Sequence, residues 1–512
     1  MRKKAAPELV ERPPIRLGAF SNGEYFHEQT ALERKIEREI LAQADEKARR
    51  LGMDRREFLA SATGMVTSLS VLNLAASCGL EGSGTEAAAD GGYHIPHEAT
   101  MDCALAEAIV HGENEFIFDI QTHHIDNEGS WRTTNPTSGA TLATLFSKYN
   151  GCAESDLTRC LDADSYLQQV FLESDTTVAV LSGLSAPLCT EQRTMRCGAP
   201  LDNDALAKSV ERINMLARSQ RVINHCQVNP TDRLDLQLAM MERIEAQYGV
   251  GGWKTYPEWG PEGKGWAMTD EGSGIALIER ARQLGRKVVC IHKGIVFPGW
   301  DRAFSDPADV GIVAKAYPDT TFIVYHSAIE FEPTPEQEGP YNASLPQGTD
   351  RLIRTLLDND LAGKNLYAEL GSVWAQVMNA PVMAQHVIGK LLKYFGPDHV
   401  LWGSESIWLG SPQPQIEAFR AFQISKQFQE TYGYPELTPA IKAKIFGRSA
   451  AKLYGIDPEQ QRCKVEASSL ARMKRVLDDE LGDRRWAFQD LGGPRTRREF
   501  VRLARFTGGK PG

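Results

Sequence analysis

KVVCIH (Lys287–His292) and TFIVYH (Thr321–His326) are two β-type apolar runs that each end in a histidine. Short, nearly continuous apolar runs rich in β-branched residues read as buried parallel strands. Two more runs have the same design. FIFDIQTHH (Phe116–His124) closes on a histidine pair, and VLWGSE (Val400–Glu405) closes on an acid. Donor side chains recurring at the ends of strands far apart in sequence mark the carboxyl rim of a (β/α) barrel, where such enzymes keep their chemistry.

Working outward, eight strand candidates are spaced through the chain: Phe116–Gln121, Thr177–Ser182, Arg221–His225, Gly251–Tyr256, Lys287–His292, Thr321–His326, Asn365–Leu370 and Val400–Ser404. Helical patterns separate them, including Asp204–Ser219, Asp232–Tyr248, Ser273–Leu284 and Thr349–Leu357. The expected fold is therefore α/β, a (β/α)8 TIM barrel with an N-terminal helical or signal extension and a C-terminal helical tail. An open doubly wound sheet is the competing architecture. No G-x-G-x-x-G follows a strand and no P-loop is present to support it. The expected organisation is an N-terminal extension at 1–52, a signal-like segment and tether at 53–95, the barrel at 100–456 and a basic tail at 457–512. A long insertion, Asn127 to Asp175, follows the first strand, and insertions of this kind shape substrate pockets.

The 512 residues carry a net charge of −10, with 42% hydrophobic and 24% charged residues. That is the composition of a globular protein, and its acidic balance argues against nucleic acid as a partner. The nine cysteines include a cluster at Cys152, Cys160, Cys189 and Cys197 that lacks zinc-site spacing. In an oxidising compartment Cys152 can pair with Cys160 and Cys189 with Cys197, and the sequence allows other pairings equally.

Asp54-Arg55-Arg56-Glu57-Phe58-Leu59 opens an uncharged, weakly apolar run that resembles a twin-arginine export signal. It ends at Leu74-Ala75-Ala76-Ser77-Cys78, which resembles a lipoprotein processing site with Cys78 as the anchored residue. These features point to the periplasm or cell envelope, with a possible membrane tether at Cys78. The alternative is an amphipathic helix of a cytoplasmic protein, continuing the helical stretch before it.

Side-chain alternation directs Gln121 and His123 to one side of the first strand end. His292 and His326 end the fifth and sixth strands, and Lys254 ends the fourth. Glu369 and Glu405 end the seventh and eighth. One strand-end histidine is usually a satisfied core residue; several at one rim point to a shared metal site.

The set Asp119-Ile-Gln121-Thr-His123, His292, His326 and Gly403-Ser404-Glu405 resembles the amidohydrolase superfamily. The likeness is to the amidohydrolase-related group that includes aminocarboxymuconate-semialdehyde decarboxylase, whose pattern is Asp-x-His-x-His, His, His and Gly-Ser/Thr-Asp. The run Ile445–Gly455 resembles that family's closing helix, and the likeness spans residues 114–456. Two positions depart from the pattern: Gln121 replaces a metal histidine and Glu405 replaces the aspartate.

The resemblance implies one divalent metal ion, zinc first, with manganese, iron or magnesium admitted by the extra oxygen donors. His123 and His292 would hold it, with Gln121 and Glu405 completing the shell. Glu405 would accept a proton from metal-activated water, and His326 would stabilise the oxyanion. Lys254, and less strongly Arg221, would bind an anionic group of a small-molecule substrate. The leading expectation is a metal-dependent hydrolase. Its rivals are a non-oxidative decarboxylase of an aromatic or unsaturated acid, and a degenerate barrel without catalysis. The oligomeric state stays open, a dimer being compatible with the sequence.

Overall fold

The apolar runs become eight parallel strands of a single sheet in a computed structural model. In chain order they are β1 (Phe118–Thr122), β2 (Val178–Ser182), β3 (Val222–Gln227), β4 (Gly252–Thr255), β5 (Val288–His292), β6 (Thr321–Tyr325), β7 (Leu366–Glu369) and β8 (Val400–Leu401). Each strand pairs in parallel with the next. The ring closes where Ile120 N–H donates to Trp402 O at 3.0 Å and Glu405 N–H to Gln121 O at 2.9 Å. Helices fill the connections, among them Asn203–Ala217, Leu234–Tyr248, Ala276–Gln283 and Thr349–Asp358. The expected (β/α)8 barrel is the observed fold. The structure describes residues 12–77, 92–112, 115–137, 145–146, 152, 154–330, 338–481 and 494–504.

Register sets the layers inside the barrel. Lys254 lies level with Cys290, and His292 with Tyr325, one layer nearer the carboxyl rim. His225 sits below them, its ring nitrogens in contact with Tyr325 Oη and Cys290 Sγ (both 3.3 Å) and Tyr454 Oη (2.8 Å). Tyr454 belongs to the helix Ser449–Tyr454, which plugs the amino end and carries the family-like closing sequence.

Residues 53–95 were expected as an export signal and tether. Within this range Arg55–Leu59 and Ala62–Ser77 are helices of the folded body. The second packs on the helix Ala31–Leu51 and on the helix Cys103–Val110. Met65, Val66, Leu69 and Leu72 are buried there. The mixture of small and apolar residues that resembled a weak signal core is what a helix needs to nestle against neighbouring helices. Among the described residues no helix is long and apolar enough to cross a membrane. Cys78 lies outside the described residues.

The N-terminal segment before that helix crosses the barrel mouth. A short hairpin pairs Phe20–Ser21 with Phe26–His27. Its turn is tight: the Asn22 side-chain oxygen accepts from Glu24 N–H (3.1 Å) and Tyr25 N–H (2.8 Å). Gly23 has φ +87°, and a Cβ there would lie 2.5 Å from the Phe146 ring, so glycine is required twice over.

Candidate metal centre

The rim of β5 and β6 gathers two imidazoles. His292 Nε2 and His326 Nε2 both face the carboxylate of Glu24, at 3.0 Å from Oε1 and 3.7 Å from Oε2 respectively. One donor atom from each of Glu24, His292 and His326 lies within 4.8 Å of the others, and all three residues are buried. A first-row cation has ligand bonds of about 2.1 Å, so donors around one ion stand ~3–4 Å apart. Two imidazoles and a carboxylate form a donor set that suits manganese, iron or zinc.

The surroundings aim these donors. Nδ1–H of His326 donates to Gly371 O at 2.8 Å, which leaves Nε2 as the free electron pair. Nδ1 of His292 faces Glu258 Oε1 at 3.2 Å, an ion-pair contact. Both Glu258 oxygens and Glu24 Oε2 are buried without a hydrogen-bond partner. Burial opposes a charge on His292, but Glu24 and Glu258 outweigh it and raise its pKa to about 9. Burial, His292 and Lys254 together push His326 well below the usual histidine value. Three carboxylate oxygens without a hydrogen-bond donor, beside a pair of aimed imidazoles, form a set that a cation would satisfy.

The predicted residues are placed as follows. Lys254 is fully buried, its ammonium over the Tyr325 ring (3.7 Å) and the Tyr256 ring (4.4 Å), with no hydrogen-bond partner. Burial lowers its pKa to about 8. Glu405 lies with Oε1 at 3.9 Å from His326 Nε2 and accepts from Asn22 Nδ2 at 3.2 Å. Burial and the nearby Glu24 raise its pKa well above the usual carboxylate value. Gln121 bridges the rim. In its better orientation the amide nitrogen donates to Glu369 Oε2 at 2.9 Å, and the oxygen then faces His326 and Glu405.

His123, expected as a metal ligand, donates Nδ1–H to Ser182 O at 2.7 Å and stacks on Trp408 at 5.3 Å between centroids. It stands outside the Glu24–His292–His326 donor group. Glu369 acts as a staple, accepting from His326 N–H at 2.9 Å and from Gly371 N–H, and burial raises its pKa to about 8. A Cβ at Gly403 would overlap that carboxylate, which explains the glycine of Gly403-Ser404-Glu405. His326 and Glu405 both have left-handed backbones, φ 61° and 60°. Such strain at non-glycine residues collects at functional sites.

Arg221 takes no part. It precedes β3 and so lies at the amino end of the barrel, where its guanidinium donates to Thr177 O (2.6 Å) and Thr176 O (2.9 Å). The insertion after β1 does reach the rim, since Phe146 stacks on Trp408 at 4.4 Å. Two disulfides brace the loops after β1 and β2, Cys152–Cys160 and Cys189–Cys197.

Sequence reasoning passed over Glu24, Asn22 and Glu258. For Glu24 a signal existed, because Asn22-Gly23 between the aromatic residues Phe20 and Phe26 is a hairpin turn. Nothing in the chain around Pro257-Glu258-Trp259 marks Glu258 as a partner of His292.

Residues 202–456 match the family model described as amidohydrolase. Over these residues the barrel is similar to the amidohydrolase family. No curated protein matches the chain. Solved structures with a similar fold include 5-carboxyvanillate decarboxylase from Sphingomonas paucimobilis, at 13% identity over 67% of this chain and 99% of that one, TM-score 0.40. The 2,6-dihydroxybenzoate decarboxylase from Rhizobium is 11% identical over 67% and 99%, TM-score 0.36. The 4-oxalomesaconate hydratase from Rhodopseudomonas palustris is 15% identical over 69% and 98%, TM-score 0.39. At these identities the likeness concerns the fold alone.

Proposed function

We propose that this amidohydrolase-like barrel is a metal-dependent enzyme acting on a small organic acid, and that its reaction is non-oxidative decarboxylation of an aromatic or unsaturated acid. The observation that carries this reading is the convergence of Glu24, His292 and His326 beside the buried, unpartnered ammonium of Lys254. A divalent cation at those donors supplies a positive centre that binds and polarises substrate oxygen. Lys254 binds an anionic substrate group, and its lost hydration makes an incoming carboxylate its best available partner. The walls are aromatic, with Tyr256 4.9 Å from His292 and 5.5 Å from Trp300, and Phe297 4.6 Å from Trp300. Such walls suit a flat, conjugated acid. Glu405 is placed to give the proton that replaces the departing carboxylate on carbon. The balance is then one carboxylate and one proton in, carbon dioxide and the protonated carbon out.

Hydrolysis through a metal-activated water, the leading expectation from sequence, is the second reading. Glu405 beside His326 favours it, because the same carboxylate can take a proton from water. It ranks second because His292, His326, Glu405 and Lys254 are at most 2% exposed, a setting suited to chemistry without water as reactant.

The test is an assay of full-length protein loaded with manganese or zinc. Hydroxy-aromatic and unsaturated carboxylic acids are offered alongside matched esters, lactones and amides. Released carbon dioxide supports decarboxylation. Ring-opened or hydrolysed product without carbon dioxide replaces it with the second reading, and inactivity across both panels removes both.

A further inference from the structure

The barrel contributes His292 and His326 to the donor cluster, whereas the carboxylate comes from outside it. Glu24 sits at the tip of the N-terminal hairpin and reaches residues far along the chain. We propose that this arm supplies a metal ligand, and that the bound cation straps the arm across the barrel mouth. The proposal rests on the metal-dependent reading above and adds to it the part played by the arm.

Three observations carry it. First, Glu24 is 4% exposed and its Oε2 lacks a hydrogen-bond partner, so the carboxylate has given up water without full compensation. Such a group persists where a cation balances it. Second, the arm is held beside the donors by hydrogen bonds that do not involve Glu24. Asn22 Nδ2 donates to Ser372 Oγ at 2.8 Å and to Glu405 at 3.2 Å, and Arg16 donates to Leu409 O at 3.2 Å. Phe26 stacks on Phe500 of the C-terminal helix Arg497–Ala504 at 5.6 Å, which backs the arm from outside. Third, the carboxylates of Glu24 and Glu258 both abut His292, at 3.0 and 3.2 Å, and three of their four oxygens are buried without a hydrogen-bond donor. The cation therefore does two jobs with one carboxylate: it completes its own shell and holds the cover shut. Substrate entry requires the arm to lift, because Asn22 and Glu24 lie over the imidazoles.

The experiment uses the full chain, stripped with a chelator and titrated with manganese chloride. Calorimetry reads the affinity, and hydrogen–deuterium exchange with mass spectrometry reads peptides covering Phe20–His27. Wild-type protein is expected to bind manganese and to slow exchange in those peptides at least tenfold. Glu24→Gln should bind at least tenfold more weakly and lose the slowing, while Glu24→Asp restores part of both. Manganese bound by wild type with no change in exchange at 20–27, or bound equally well by Glu24→Gln, overturns the strap and leaves the metal-dependent reading standing. If wild type binds neither manganese nor zinc, both fall together.

Discussion

Two buried histidines, His225 and His292, occupy one barrel a few layers apart, and they behave in opposite ways. At the amino end His225 touches neutral partners, Tyr325 Oη, Cys290 Sγ and Tyr454 Oη, and burial lowers its pKa to about 3. At the carboxyl rim His292 lies between Glu24 and Glu258, and its pKa rises to about 9 despite complete burial. Both sit on strands of the same sheet. Partner chemistry separates them: hydroxyl and thiol groups leave a buried histidine neutral, and carboxylates favour its charged form. Lys254, level with Cys290, marks the border between the two layers.

The strongest way to break this comparison is His292→Ala. It is expected to weaken metal binding more than about 100-fold, beyond the usual cost of losing an outer partner, and to abolish turnover while the fold persists. Retained metal with normal activity, read by elemental analysis and assay, would erase the distinction between the layers.

Lys254→Met comes next. The wild-type lysine has a folded-state pKa of about 8, below the usual lysine value of 10.5. The unfolded chain therefore binds more protons between these values, and stability rises with pH through that window. Below pH 8 the penalty is fully present, at about 3 kcal/mol on the order of 1.4 kcal/mol per pH unit. The methionine variant should be more stable at pH 7 by roughly that amount, should lose the rise between pH 8 and 10, and should bind carboxylate substrate poorly. Denaturant titrations at the two pH values check it. A variant less stable than wild type contradicts the buried, unpaired ammonium.

Glu258→Gln should reduce metal affinity about 10- to 100-fold by loosening the His292 ring. An unchanged affinity would show that Glu24 alone sets that imidazole. The smallest effect is expected at the other layer. His225 stays neutral when folded but takes a proton below pH 6.5 when unfolded, so its contribution to stability falls as pH drops from 6.5 towards 3. His225→Phe should shrink the loss of stability between pH 7 and pH 5 by about 2 kcal/mol, with manganese affinity unchanged. A fall in metal affinity on that substitution would join the two layers that the structure separates.

The barrel was legible because each buried parallel strand writes its own local record, an apolar run such as Lys287–His292. His292 and His326 were legible because strand ends point to one rim, whereas His123, read by the same rule, stands outside the donor group. The donor carboxylate was not, since the third member of the cluster is carried by an arm far upstream of β1, and no local pattern says where an arm will lie. Only the Asn22-Gly23 turn hinted at it. Arg221 misled because it begins a strand instead of ending one, which sends it to the opposite face. The Phe58–Ala76 run, expected as a signal core, lies in packed helices of the structure, because small and apolar residues serve either role and the neighbours that pack on them are distant in sequence.

The central claim is that one cation is gripped by the arm and the barrel together. The direct test is a crystal of the full chain soaked in manganese, measured at the manganese absorption edge. One anomalous peak touching Glu24, His292 and His326 is expected. A peak held by Gln121, His123 and Glu405 without Glu24, or no peak at saturating manganese, contradicts it.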